Sequence, residues 1–169
     1  MGVRPSVGAT VPYFYVPNGG ASTNYGYLYN YKAVSLGICP TGWHVPTSSE
    51  LQALANYVGS QNAYICGNNS NYVAKALAST SGWNSSTITC TPGETPSNNN
   101  ATGFSALPAG ARLSNSYSNF GSCAYFWSAS EVSNNNSYAW IHCIGHSSQG
   151  VSTLYGDKSE GYAVRCVKD

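Results

Sequence analysis

The 169 residues carry seven Lys and Arg against six Asp and Glu, so the net charge is +1 and charged side chains make up 8% of the chain, where about 25% is usual. No basic block exists to track a phosphate backbone, which argues against nucleic acid as a partner. No apolar run approaches the roughly 18 residues of a membrane helix, which argues against direct membrane insertion.

The length suits one domain around a single core. Ser, Asn, Thr and Tyr replace the missing charges, and 14 Tyr with 18 Gly match the make-up of recognition surfaces. There Tyr supplies contact area with few rotors, and Ser, Gly and Asn adapt around it. Residues 1–24 read as an extended N-terminal segment rich in Pro and Gly, without a secretory pattern. "MGVRPS" fits the loose myristoylation pattern at Gly2, with a plain chain start as the simpler reading. "YGYLYNYKAVS" (25–35) is dense in Tyr and is expected to begin a sheet.

Thr47-Ser48-Ser49-Glu50 forms a capping box. Leu51, Leu54, Ala55 and Val58 follow at helical spacing, so a helix is predicted over 47–58, stopped by Gly59. A second, weaker helix is predicted over 70–80, with Val73, Ala74, Leu77 and Ala78 on one face. Residues 84–102 form a polar loop that a Cys66–Cys90 bridge could pin. From Phe104 onward no helical period survives. Turn signals ("PAG", "NFGS", "SNNNS", "SSQG", "YGDKSEG") separate short segments, so 104–160 is expected to be largely loop-like yet ordered. "GYAVRCVKD" alternates well enough for a terminal strand with Tyr162, Val164 and Cys166 on one side.

Six scattered cysteines without a C-x-x-C pair point to disulfides rather than a zinc knuckle, and their spacing leaves the connectivity open. His142 and His146 bracket Cys143 as H-C-x-x-H. Gly145, Ser147, Ser148 and Gly150 disfavour the helix that would bring both histidines to one metal, so no metal site is expected. His44, beside Trp43, reads as a packed structural histidine. Glu50, Glu94, Glu131, Asp157, Glu160 and Asp169 form no close acid–base pair. Arg112 and Arg165 could each bind an anion, but are assigned to surface ion pairs by default. The sequons at Asn68, Asn84, Asn100 and Asn135 are common in so Asn- and Ser-rich a chain. No nucleophile elbow, P-loop or dinucleotide fingerprint is present. The residues thus point to a non-enzymatic binding module with an aromatic and polar face and no cofactor.

"CPTGWHVPTSSELQAL", "GFSALPAGAR", "FWSASE" and "GYAVRCVKD", in that order, resemble the Fibrobacter succinogenes major paralogous domain, within the C-type lectin-like and formylglycine-generating-enzyme-like superfamily. The resemblance implies an α+β domain of C-type lectin-like fold over 25–169, two helices packing on a small twisted antiparallel sheet with long ordered loops. It implies a Cys39–Cys166 disulfide. The calcium-lectin motifs E-P-N, Q-P-D and W-N-D are missing, and the paired cysteines of formylglycine-generating enzymes have no clear counterpart.

Residues 111–160 also resemble the variable region of proteins diversified by retroelements, in which a reverse transcriptase miscopies template adenines. Asn codons altered at adenines reach Ser, Tyr, His, Cys, Asp, Gly, Thr, Leu, Ile, Val, Ala, Arg, Pro and Phe, but not Trp, Met, Lys, Glu or Gln. Trp127, Glu131, Trp140, Gln149 and Lys158 would therefore be fixed, with Phe126 and Trp127 in a buried family motif. The implied ligand-binding face comprises Leu113, Ser116, Tyr117, Ser122, Cys123, Tyr125, Val132, Ser133, His142, Cys143, Gly145, His146, Ser147, Ser152, Thr153, Leu154, Tyr155, Gly156 and Asp157. Tyr117, Tyr125 and Tyr155 would be its anchors.

The function implied is display of a diversified surface, extracellular, on a bacterial cell surface or phage tail tip. Its partner would be a protein or glycan ligand on another cell or particle. The alternatives are a fixed carbohydrate-binding or adhesion module and, last, a diverged enzyme of the formylglycine-generating type.

Overall fold

The computed structural model of the chain describes residues 11–20 and 23–169 and is α+β, with short helices on small antiparallel sheets. Residues 1–10, which include the Gly2 pattern, and residues 21–22 lie outside the described residues. Of the expected extended segment, Phe14–Tyr15 (β1) pairs with Leu28–Tyr29 (β2). The stretch 25–35 is therefore a strand only in part. Asn30, fully buried, accepts from the Tyr13 N–H at 2.8 Å and the Ala33 N–H at 3.3 Å. This side-chain cap turns Tyr31–Ser35 into helix α1, and the cap outweighs the strand preference of the tyrosines.

Trp43–His44 (β3) precedes helix α2, Ser48–Ser60. The capping box forms as expected: the Glu50 N–H donates to Thr47 Oγ1 at 3.2 Å, and the Thr47 N–H to Glu50 Oε2 at 2.7 Å. Helix α3 spans only Ala74–Leu77, well short of 70–80. On its near side Cys66 and Asn69 hold Tyr72 in a turn. On its far side Ala78 leaves the helix to bridge Ala106. The loop 84–102 is pinned by Cys66–Cys90, but it is anchored inward rather than being a free excursion. Thr91, Pro92, Gly93 and Asn99 are buried, Asn99 Nδ2 donates to the Ser79 and Pro92 carbonyls, and Lys75 donates to the Glu94 carbonyl and carboxylate.

Ala111–Leu113 (β4) pairs with Ser116–Ser118 (β5). Much of 104–160 is strand rather than loop, which corrects the expectation from turn signals. Cys123–Glu131 (β6), Tyr138–Gly145 (β7) and Val151–Asp157 (β8) form the main sheet, in that order and antiparallel throughout. β6 and β7 bury both faces, which removes the alternation by which a half-buried strand is read. The terminal segment contributes only Val167–Lys168 (β9), paired with β3. Upstream of it, Gly161, Tyr162 and Ala163 make single bridges to Arg112, Tyr29 and Phe126. The Cys39–Cys166 bridge forms as implied.

The strand register sorts the sheet into two faces. Ala124, Phe126 and Ile144 share a core with Val58 of α2, Leu77 of α3 and Trp83. Trp127, Ile141 and Ala139 share the other with Tyr31, Ala111 and Tyr162. Trp127 is fully buried. Its indole N–H donates to the Tyr29 carbonyl at 2.7 Å, and the rings of Tyr162 and Tyr31 meet it edge-on at 4.7 Å and 5.3 Å.

The pairing of β6 with β7 then slips between Trp127 and Glu131. In this bulge the Ala129 N–H donates to the Pro46 carbonyl, its carbonyl accepts from the Tyr31 hydroxyl, and Ser130 Oγ accepts from the Ser48 N–H. The last bond satisfies one of the free donors at the start of α2. The bulge "SAS" thus docks both larger helices onto the sheet.

Three side chains differ from expectation. His44 is half-exposed and lies between two carboxylates, Nδ1 at 2.6 Å from Asp169 and Nε2 at 3.1 Å from Glu50. Those carboxylates raise its pKa. Arg112 stacks on Tyr117 and Tyr15, at 4.9 and 5.6 Å. Arg165 lies over Phe104 and donates to its carbonyl at 2.8 Å. Cation–π stacking replaces the ion pairs assigned to both arginines.

Trp127→Ala is expected to cost about 3–5 kcal/mol, from lost burial and the cavity left behind. Trp127→Phe retains most of the packing and should cost less, because the Tyr29 carbonyl still accepts from the Tyr162 N–H. Denaturant unfolding of both variants measures this; equal losses would show that the hydrogen bond rather than the packing dominates.

Candidate functional site

The outer flank of β6 is covered by the bridges from Gly110 and Ala163. Among the described residues, β8 pairs with β7 on one side only. Its residues Ser152, Thr153, Leu154 and Tyr155 are exposed, Leu154 by 44% and Tyr155 by 61%. Alternation sends Ser152 and Leu154 to one face, Thr153 and Tyr155 to the other.

Tyr155 stands opposite Trp140 in the register, with ring centroids 6.3 Å apart, and its edge meets Tyr138 at 5.4 Å. Paired aromatics of this kind gain about 0.5–1.5 kcal/mol beyond burial. The three rings form an aromatic platform on the sheet, with Tyr155 nearly perpendicular to the other two, at 83° and 82°. The turn containing exposed Ser147 lies at one end of β8. At the other end lies the turn with half-buried Val132 and exposed Ser133, where the Val132 N–H donates to the Tyr138 carbonyl.

The implied face divides on burial. His142, Cys143, Gly145 and Gly156 are buried and so cannot present side chains to a ligand. A Cβ on Gly156 would lie 2.5 Å from the Tyr162 ring, and one on Gly145 would lie 2.8 Å from Ser148 Oγ. Tyr125 is half-buried, meets Tyr162 edge-on at 5.5 Å and accepts from Asn119 Nδ2 at 2.9 Å. It is packed rather than projecting. Leu113 joins the same core.

Ser116 is exposed and Tyr117 half-buried beneath Arg112, on the β4–β5 hairpin at the β6 side of the sheet, away from β8. Half-buried Ser122 accepts from Asn84 Nδ2, and the carbonyl of half-buried His146 accepts from the Gly93 N–H. Cys123 is half-buried beside Cys143. Asp157 accepts from the Ser159 N–H and hydroxyl, at 2.8 and 2.7 Å, which holds the turn after β8.

Trp140, read from the sequence as a fixed position, and Tyr138, given no role there, complete the platform. Their spacing of two is a strand signal, but only the register with β8 places them beside Tyr155. Among the described residues no group of three or more His, Cys, Asp or Glu could hold a metal ion, and no helix is long and apolar enough to cross a membrane.

His142 lies under the start of α2, its Nε2 2.9 Å from Ser48 Oγ and its Nδ1 without a partner among the described residues. Burial pushes its pKa below the ordinary 6.5. The unfolded chain therefore takes up the proton more readily. The stability contributed by neutral His142 is complete above 6.5 and falls as the pH drops below that value. In chemical denaturation across this range, wild type is expected to lose stability relative to His142→Gln as the pH falls. Parallel curves for the two proteins would contradict the assignment.

No curated protein and no solved structure matches the chain. The model of one family, the Fibrobacter succinogenes major domain, matches residues 7–168, nearly the whole length and all of the elements described above. The chain belongs to the Fibrobacter succinogenes major domain family.

Proposed function

We propose that the chain is a non-enzymatic, extracellular binding domain of C-type lectin-like type, whose surface is diversified by retroelement mutagenesis to engage varied macromolecular targets on another cell or particle. The observation that carries this reading is the exposed run Ser152–Tyr155 beside Trp140 and Tyr138. Every residue of that run belongs to the set an adenine-mutated Asn codon reaches. Trp140, against which Tyr155 packs, lies outside that set. The face is narrower than the whole implied list, because buried positions serve the scaffold. It centres on the exposed edge strand Ser152–Tyr155, with Thr153 and Tyr155 on the side of Trp140 and Ser152 and Leu154 on the opposite side, flanked by Ser147 and Ser133. Tyr155 is the main anchor, since large aromatics at the centre of a patch supply most binding energy.

A second reading, a fixed carbohydrate-binding module, draws on the exposed Tyr155 ring, which suits stacking against the apolar face of a sugar. The DNA flanking the gene separates the two. Diversification requires a reverse-transcriptase gene and a near-copy of codons 111–160 that differs almost only at adenines, with mismatches at 152–155 and none at 127 or 140. If no such copy exists and a glycan array shows sugar-selective binding, the fixed lectin-like reading replaces the diversified one. Under either reading, Tyr155→Ala should weaken binding by about 1–2 kcal/mol while leaving the unfolding midpoint near that of wild type.

A further inference from the structure

The ladder of the main sheet fixes which backbone groups of β8 are left over. In an antiparallel pair, opposed residues alternate between those that exchange both N–H···O=C bonds and those that exchange none. Just past β8 the Lys158 N–H donates to the Ser137 carbonyl at 2.9 Å, and these two residues continue the register in which Tyr138 opposes Asp157. Counting back in twos, Gly156, Leu154 and Ser152 are the residues that bond to β7. The N–H and C=O groups of Val151, Thr153 and Tyr155 point away from β7, and they meet no partner among the described residues.

Both ends of this free stretch are closed. At one end the Gln149 carbonyl accepts from the Ala74 N–H at 2.9 Å, and the Gln149 side chain donates to the Thr89 carbonyl at 3.0 Å. At the other end the Asp157 N–H donates to Glu160 Oε2 at 3.1 Å, and the Asp157 carbonyl accepts from the Glu160 N–H at 2.9 Å. The open window is Val151–Tyr155, which holds no charge, proline or glycine. Such an edge accepts an added strand through its backbone groups.

The residues of the window select the strand it accepts. Antiparallel self-pairing that uses the whole window has a single register. Thr153 then opposes Thr153 of a second copy, Val151 opposes Tyr155, and Ser152 opposes Leu154. Thr–Thr and aromatic–β-branched pairs are among the stabilising cross-strand pairs. The same register sets Asp157 against Gln149 of the second copy, so no like charges face each other. A net charge of +1 adds little repulsion between copies.

We propose that β8 is a homodimer interface, in which the free edge Val151–Tyr155 pairs antiparallel with the same edge of a second copy about a twofold axis at Thr153. The pairs made by Val151, Thr153 and Tyr155 exchange about six backbone hydrogen bonds. The two three-stranded sheets join into one continuous sheet. The axis runs perpendicular to that sheet, so Trp140 and Tyr155 of both copies lie on one surface. Two platforms on one surface engage a ligand bivalently. The contact uses the backbone at the edge and leaves the side chains of the sheet faces open, so it holds whichever ligand they take.

The test is sedimentation velocity of the whole chain at concentrations up to millimolar. Wild type is expected to pass from 17.8 kDa to twice that mass. Thr153→Pro removes an outward N–H but no bond to β7, and Thr153→Lys sets like charges directly opposite each other. Both should stay monomeric where wild type is dimeric, with native circular dichroism. Thr153→Glu should do the same, yet an equimolar mixture of Thr153→Lys with Thr153→Glu should regain the dimer, because residue 153 meets its own counterpart in this register. The proposal is overturned if wild type stays monomeric throughout, an outcome that leaves the edge to an extended segment of another protein. It is also overturned if the folded Thr153→Pro and Thr153→Lys proteins remain dimeric, or if the mixture stays monomeric. If Thr153→Pro fails to fold, the exposed Lys and Glu substitutions decide.

Discussion

The indole of Trp127 is the contact on which the rest of the structure depends. It is fully buried in the middle of β6. It donates to the Tyr29 carbonyl of β2 and packs against Tyr31 of α1 and Tyr162 of the C-terminal segment. The backbone N–H of Trp127 donates to the Ala163 carbonyl. One residue thus joins the two ends of the chain to the centre of the sheet. Directly after it, the bulge at Ser128–Ser130 receives the starts of both larger helices. In a chain with few charges, stability has to come from such apolar junctions and from the Cys39–Cys166 and Cys66–Cys90 bridges. Disulfides stabilise mainly by restricting the unfolded chain, more so for long loops.

That arrangement leaves the two flanks of the sheet unequal. Segments from distant parts of the sequence close the β6 flank, while β8 faces outward with an alternating run of small polar and large apolar side chains. Native proteins usually blunt such an edge with charge, proline or a bulge, and Ser152–Tyr155 carries none of these. An unprotected edge next to an aromatic platform is what a binding surface requires. Because the platform rests on a doubly buried strand, substitutions at the exposed positions change the surface without disturbing the core beneath. This separation suits a surface open to mutation.

The parts of the fold governed by local chemistry were legible in the sequence. Thr47 and Glu50 announce the start of α2 because a capping box needs only four residues. The helix stripe of Leu51, Leu54 and Val58 reports the face it buries. The main sheet was not legible, because Phe126, Trp127, Ile141, His142, Cys143 and Ile144 are buried on both faces and give no period. Helix α1 was hidden by its tyrosines, and its signal, Asn30 as a buried cap, depends on partners at Val11 and Tyr13. The proposed face was legible only in residue types. Residue types separated Trp127 and Trp140 from Ser152–Tyr155, but types cannot report burial. His142, Cys143, Gly145 and Gly156 therefore read as surface until the register placed them inside.

The central claim, that burial on this sheet separates scaffold from the proposed binding face, is tested most directly by saturation substitution of residues 111–160. Each variant is displayed on a cell surface and scored for folding by resistance to protease. Positions 133, 147 and 152–155 are expected to accept nearly every side chain, while 127, 142, 143, 145 and 156 accept few. If the buried positions tolerate substitution as freely as Ser152–Tyr155, the scaffold and the face are not divided as described.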